Sequence, residues 1–232
     1  MVRDNYLAVN DIVTKATQRS GRNVSEVTLI SVSKTKPIEM LKEVYEAGSR
    51  DFGENKVQEI IEKYPQMPKD VRWHMIGHLQ TNKVKYIVDK VYMIRSVDSY
   101  KLAQEINKQA QKANVIVQIL IEVNVGEEES KFGLCVSDTE ELIRQIALLP
   151  NVKIKGLMTV APYVDDPEKN REIFASLKQL SVDISRKNID NVNMDCLSMG
   201  MSGDYEVAIE EGATFVRVGT SIFGNREYKV KE

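Results

Sequence analysis

Lys34 closes an apolar run, Leu29-Ile-Ser-Val-Ser-Lys34, after which the chain passes through Thr35 and Lys36 to Pro37. Strand alternation places Lys34 on the face of Ile30 and Val32, whereas Lys36 lies past the run and directly before a proline that enforces extended geometry. An amine at the mouth of a parallel α/β fold is partly desolvated, which disfavours its ammonium form and leaves a nucleophile able to attack an aldehyde. By position alone, a solvated lysine at the start of a loop accounts for the same pattern.

The carboxyl-terminal third supplies a second constellation. Leu197-Ser-Met-Gly-Met-Ser202 and Gly219-Thr220 each follow a strand-like segment and combine glycines, which admit an anion to the backbone, with hydroxyls that donate to its oxygens. Two ordinary tight turns are the plain alternative. Arg217 ends the last apolar segment on the face that would point into the same mouth, although an arginine there also suits pairing with a carboxylate. Asn55 reads first as a helix cap, yet it too follows a strand and can face the mouth. His74 and His78 lie four apart, a spacing that shares a face on a helix but here falls on a strand and its following turn, so no metal is expected. Glu127-Glu-Glu129 reads as a solvated loop.

These residues need a scaffold. After a leading helix over 3–19, which is expected to pack on the barrel as part of an extension over 1–24, eight strand-like segments alternate with amphipathic helices. The strands are predicted over 27–33, 50–53, 72–76, 91–95, 115–125, 152–160, 193–197 and 214–218. Pro37 and Asp166-Pro167 open helices, Ser137-Asp-Thr-Glu140 has capping-box spacing, and a short helix is predicted around 81–88. Only Thr220-Ser-Ile-Phe223 follows the eighth strand, so an eighth outer helix is missing unless the leading helix covers that position. The pattern predicts one α/β domain over 1–232, a (β/α)8 TIM barrel. A doubly wound sheet would show fewer strands and a Gly-rich first turn, which is absent after Lys34.

Composition narrows the function classes. The 232 residues are 42% hydrophobic and 28% charged with a net charge of −2, so nothing favours a nucleic-acid backbone as partner. Apolar runs such as 115–121 are far short of the ~20 residues that cross a bilayer, and no secretory core opens the chain. Cys135 and Cys196 lack metal-ligand spacing and read as buried small hydrophobes of a reducing compartment, so a cytoplasmic monomer is expected.

A phosphate pocket and an activated lysine on one barrel mouth point to a phosphorylated aldehyde cofactor. The chain resembles the pyridoxal phosphate homeostasis protein family through Val32-Ser-Lys-Thr-Lys-Pro37, Phe52-Gly-Glu-Asn55, Trp73-His-Met-Ile-Gly-His-Leu-Gln80 with Asn82-Lys83, Gly156-Leu-Met-Thr159, Leu197-Ser-Met-Gly-Met-Ser202, and Val216-Arg-Val-Gly-Thr220 with Phe223-Gly224. The resemblance implies a fold type III barrel similar to the amino-terminal domain of alanine racemase, with Lys34 as the aldimine lysine for pyridoxal 5'-phosphate (PLP, a vitamin B6 form). It also implies that Ser198, Gly219 and Thr220, with Ser202 and the Met199-Gly200 backbone, hold the phosphate, that Arg217 lies near the pyridine nitrogen and that Asn55 lies close to the ring. The family is regarded as a carrier of the cofactor, linked to amino-acid and keto-acid balance and without established turnover; apo-enzymes that use PLP are the implied transient clients. Barrel racemases carry a further β-rich domain that brings a tyrosine, whereas this chain is expected to stop at the barrel. A racemase in which Tyr163 or a mouth histidine serves as opposing base is the competing expectation.

Overall fold

A computed structural model describes residues 1–128 and 131–225. Eight parallel strands close into a barrel in chain order: β1 Thr28–Val32, β2 Asp51–Glu54, β3 Arg72–Met75, β4 Met93–Val97, β5 Val117–Glu122, β6 Val152–Met158, β7 Val192–Ser198 and β8 Phe215–Val218. The seam pairs Ile30 of β1 with Arg217 of β8, which brings the lysine strand beside the arginine strand although 187 positions separate the two residues (217 − 30). The barrel expectation is met, each strand lying within a few residues of its predicted place.

The leading helix α1, Val2–Arg19, buries Tyr6, Val9, Val13 and Ala16. It packs against α2 (Ile38–Glu46), α7 (Tyr205–Glu210) and the single turn α8 (Thr220–Phe223), so it does cover the place of a missing eighth outer helix. The other helices are α3 Val57–Lys63, α4 Tyr100–Ala113, α5 Val136–Ala147 and α6 Arg171–Ser185. Their apolar faces and the outward faces of the strands form the main core, including Trp73, Phe52, Phe174 and Leu41. Met93, Leu120 and Met158 form a separate buried cluster with Cys196 beside it.

Several local expectations are corrected. Residues Thr81–Tyr86 form a 3-10 rather than an α turn. The capping box at 137–140 is not formed: α5 already starts at Val136 with Cys135 as its N-cap, and Ser137 Oγ bonds the Asp138 carboxylate instead. Asn55 is not a cap either, because Lys56 occupies the N-cap position of α3. Asp166 does cap, but it caps the 3-10 turn Pro167–Asn170 that precedes α6. Cys135 is exposed and only Cys196 is partly buried. Glu127 is exposed as expected, while Glu129 lies outside the described residues.

Gly156 has a requirement that no other residue meets. Its φ is +150°, and a Cβ there would lie 1.8 Å from the Cys196 carbonyl oxygen, so the β6–β7 contact depends on its lacking a side chain.

Candidate functional site

A cavity of about 380 Å³ opens at the carboxyl ends of the strands, within the range of small-molecule sites. Its lining includes Lys34, Asn55, Arg217, Ser202, Gly219 and Thr220, together with Lys36 and Tyr163. Residues far apart in the chain therefore converge on one mouth because each ends, or directly follows, a barrel strand.

Lys34 is half-buried, and its two chain neighbours are pinned by one buried network. Lys63, on α3, donates to the Ser33 carbonyl at 2.9 Å, to Glu54 Oε1 at 2.8 Å and to Glu59 Oε2 at 3.0 Å. The Ser33 hydroxyl donates to the same Glu54 oxygen at 2.6 Å, and the Thr35 N–H donates to Glu59 at 2.8 Å. Thr35 holds a left-handed φ of +64°, uncommon for a β-branched residue, so this contact fixes a conformation the chain would otherwise leave. Burial, then the adjacent Glu59, pushes the Glu54 carboxyl up to about 8 against the pull of Lys63. Its second oxygen, Oε2, is buried and has no hydrogen-bond partner. One proton on two carboxylates leaves the buried trio neutral overall.

Arg217 is buried and its orientation is fixed at both ends of the guanidinium. It donates to Ser198 Oγ at 2.6 Å and to the Thr159 carbonyl at 2.8 Å. Burial pulls its pKa down to about 10, opposed by Glu122 and Asp204, so it stays cationic at neutral pH. Burial likewise pushes the Glu122 carboxyl up to about 7, with Arg217 pulling it back.

The carboxyl-terminal loops divide. Ser202 is half-buried in the cavity wall, and its hydroxyl accepts the Gly219 N–H at 3.3 Å. Asp204 holds that loop by accepting the Met201 N–H at 2.7 Å and an amide proton of Asn170 at 2.8 Å. Ser198, Met199 and Gly200 are buried and do not line the cavity. Met199 N–H and the Gly200 carbonyl are taken up by β8, bonding the Phe215 carbonyl and the Arg217 N–H. The freedom of Gly200, at φ +88°, serves packing: a Cβ would meet Ala208 at 2.6 Å and Tyr205 at 2.9 Å, the residues of α7. Gly219 similarly lies 3.2 Å, at an added Cβ, from the Val32 carbonyl.

The two histidines separate. His74 is fully buried: its Nε2 bonds Asp51 at 2.9 Å and its Nδ1 accepts from Arg95 Nε at 3.1 Å. His78 is exposed, stacks on Phe132 and lies 3.7 Å from Asp98. Among the described residues no group of three or more His, Cys, Asp and Glu is placed to hold a metal, and no helix is long and apolar enough to cross a membrane. Sequence reasoning missed Lys63, Glu54, Glu59 and Asp204. The signal for the first three was available: Glu59 and Lys63 are four apart on a helix that directly follows Glu54.

A donor set of two half-buried amines, Lys34 and Lys36, one oriented guanidinium, two hydroxyls and a glycine backbone in one cavity fits a phosphorylated aldehyde. Residues 15–227 match the family described as alanine racemase, N-terminal domain. A pyridoxal phosphate homeostasis protein of Aquifex aeolicus is 48% identical over 217 residues, covering 93% of this chain and 94% of that protein. One of Pseudomonas aeruginosa is 37% identical over 228 residues, covering 98% and 96%. Among solved structures, PipY of Synechococcus elongatus with PLP bound superposes with a TM-score of 0.83 at 32% identity, covering 97% of this chain and all of that one.

Proposed function

The chain belongs to the pyridoxal phosphate homeostasis protein family, and from that premise we propose that it binds PLP reversibly through a Schiff base to Lys34 and contributes to the supply and balance of the cofactor. The observation that carries this reading is the convergence of Lys34, Arg217, Ser202, Gly219 and Thr220 on one cavity, in a fold shared with a relative described with PLP bound.

Bound PLP supplies an aldehyde for covalent capture and a phosphate for anchoring. Lys34 contributes the amine. Thr220, Ser202 and the Gly219 backbone face the same cavity and hold the phosphate, while Ser198 acts on Arg217 and the Met199-Gly200 backbone holds the loop to the barrel. In this reading Arg217 would lie near the pyridine nitrogen and Asn55 close to the ring. A guanidinium there resists protonation of the nitrogen and weakens the electron sink that amino-acid chemistry on PLP draws on, which favours holding and release, with PLP-using apo-enzymes as transient recipients and a monomeric, cytoplasmic protein as the carrier.

The test is spectroscopic. Cofactor-loaded protein should show the visible absorbance of a lysine Schiff base, and Lys34→Ala should abolish it while Lys36→Ala keeps it. Absence of the band in the wild type, or its survival in Lys34→Ala, overturns the proposal.

One observation favours a second reading as a racemase: Tyr163 lines the same cavity as Lys34. Its ring is 92% exposed, so it would have to move inward to act as the opposing base. Lys34-dependent exchange of the α-proton of amino acids for deuterium would establish this reading, and no such exchange across a broad panel removes it.

A further inference from the structure

A second concavity of about 530 Å³ lies on the same face of the barrel, separated from the lysine cavity by Asn55, which lines both. Three segments build it. Lys56 with Val57, Gln58 and Ile61 comes from the start of α3; His78 and Gln80 follow β3; Lys83 and Tyr86 come from the 3-10 turn. Asn55 is held close to the turn after β3, where a Cβ on Gly77 would meet the Asn55 carbonyl oxygen at 2.6 Å.

Its charge is one-sided. Lys56 and Lys83 line it, neither forms an ion pair among the described residues, and no carboxylate belongs to its lining. Two carboxylates outside the lining contact members of it other than the lysines: Asp98 lies 3.7 Å from His78, and Glu62 accepts from Gln58 at 3.0 Å. Lys56 and Lys83 are exposed and line one concavity together with residues that follow β2 and β3, on the side of a parallel barrel where ligands collect. The apolar side chains of Val57 and Ile61 and the ring of Tyr86, with Lys83 Nζ 5.9 Å from its centroid, provide a surface for a short carbon skeleton.

We propose that this concavity binds a small organic oxyanion, a carboxylate or phosphate on a short carbon chain, held by Lys56 and Lys83 and placed beside the cofactor mouth. The binding does not depend on the PLP reading, because none of the residues holding the anion belongs to the proposed cofactor set; only its placement uses Asn55.

The probes are glutarate and glycerol phosphate, titrated separately into the full chain, with and without PLP, while amide shifts of Lys56, His78 and Tyr86 are followed by NMR. Saturable shifts in either arm support the site, and the tighter arm identifies carboxylate or phosphate as the preferred group. Lys56→Ala with Lys83→Ala should weaken binding at least about tenfold, as expected for losing two charge-assisted contacts, with the PLP absorbance unchanged. Shifts that stay linear in both arms, or equal affinity in the double variant, overturn the proposal. If the chain binds no PLP at all, the cofactor-free titration still decides this question by itself.

Discussion

Lys63 and Glu54 meet at 2.8 Å in a buried pair that holds Ser33, and Glu59, which accepts from the same Lys63, holds Thr35, so both chain neighbours of Lys34 are fixed. The backbone on either side of the Lys34 amine is thus held from behind the mouth, by a network in which a lysine of α3 bonds the residue after β1 and, through Glu59, the first residue of the following turn.

Because burial raises the Glu54 pKa to about 8 and so favours its protonated form at neutral pH, Glu54→Gln should be nearly neutral there, whereas Lys63→Met, which leaves buried acids without their cation, should cost roughly 3–5 kcal/mol. The sign of the pH effect follows from the raised pKa. The folded state keeps a proton that the unfolded chain releases from about pH 4.5 upward, so this group lowers stability as pH rises toward 8. Urea midpoints at neutral pH and above pH 8 should therefore show Glu54→Gln gaining on the wild type at the higher pH. A loss of several kcal/mol in the Glu54→Gln variant at neutral pH would mean that Glu54 is ionised.

The barrel was legible because period-two and helical patterns alternate with Gly and Pro punctuation, and those signals are local. The mouth was legible in part for the same reason: Lys34, Asn55, Arg217 and Thr220 follow strand ends. What stayed hidden was pairing across the fold. Ser198 looks like a phosphate donor in sequence, yet it is buried off the cavity wall with its oxygen accepting from Arg217 nineteen positions away, and Asn55 looks like a cap one residue before the actual one. Neither distinction has a local signature, since Ser and Asn suit both roles.

That division predicts different consequences for the two serines and the threonine. Ser198→Ala removes a buried hydrogen bond to a charged group and should cost roughly 1.5–3 kcal/mol of stability in urea, with only a small direct loss of PLP affinity. Thr220→Ala and Ser202→Ala, on the cavity wall, should show the reverse, with little change in midpoint and about tenfold weaker PLP binding by equilibrium absorbance. Equal affinity losses for Ser198→Ala and Thr220→Ala would place Ser198 on the phosphate.

Gly156→Ala tests the β6–β7 seam. The Cβ would stand 1.8 Å from the Cys196 carbonyl at a φ disfavoured for any side chain, so the strands must part. A loss beyond about 4 kcal/mol or failure to accumulate as soluble protein is expected. Gly212→Ala is the control: its φ of +98° is strained too, but a Cβ there meets only flexible atoms of Lys178 at 3.5 Å, so it should cost much less. Equal losses would assign the effect to backbone strain alone.

His74 makes acid sensitivity separable from the carboxyl effects. Burial, with Arg95 nearby, holds its imidazole down at about 4, because a proton on Nδ1 would meet the Arg95 guanidinium that this nitrogen now accepts from. A folded-state pKa below that of the unfolded chain means stability is fully present above about 6.5 and is lost as pH falls toward 4, by an amount on the order of 3 kcal/mol. Asp51 adds a later loss. Burial alone would raise its carboxyl, but hydrogen bonds from His74 and Arg72 hold it at about 2, so its contribution disappears only as pH falls below 3.8. Glu54 and Glu122, both raised, oppose the His74 slope over part of the same range, which makes the wild-type curve alone ambiguous. The difference between the wild type and His74→Gln isolates it: the variant, less stable at neutral pH, should close its gap to the wild type between pH 6.5 and 4, measured by urea midpoints. A gap that stays constant across that range would show that His74 is already protonated in the folded barrel, and that the Arg95 contact is made through some other arrangement of the ring.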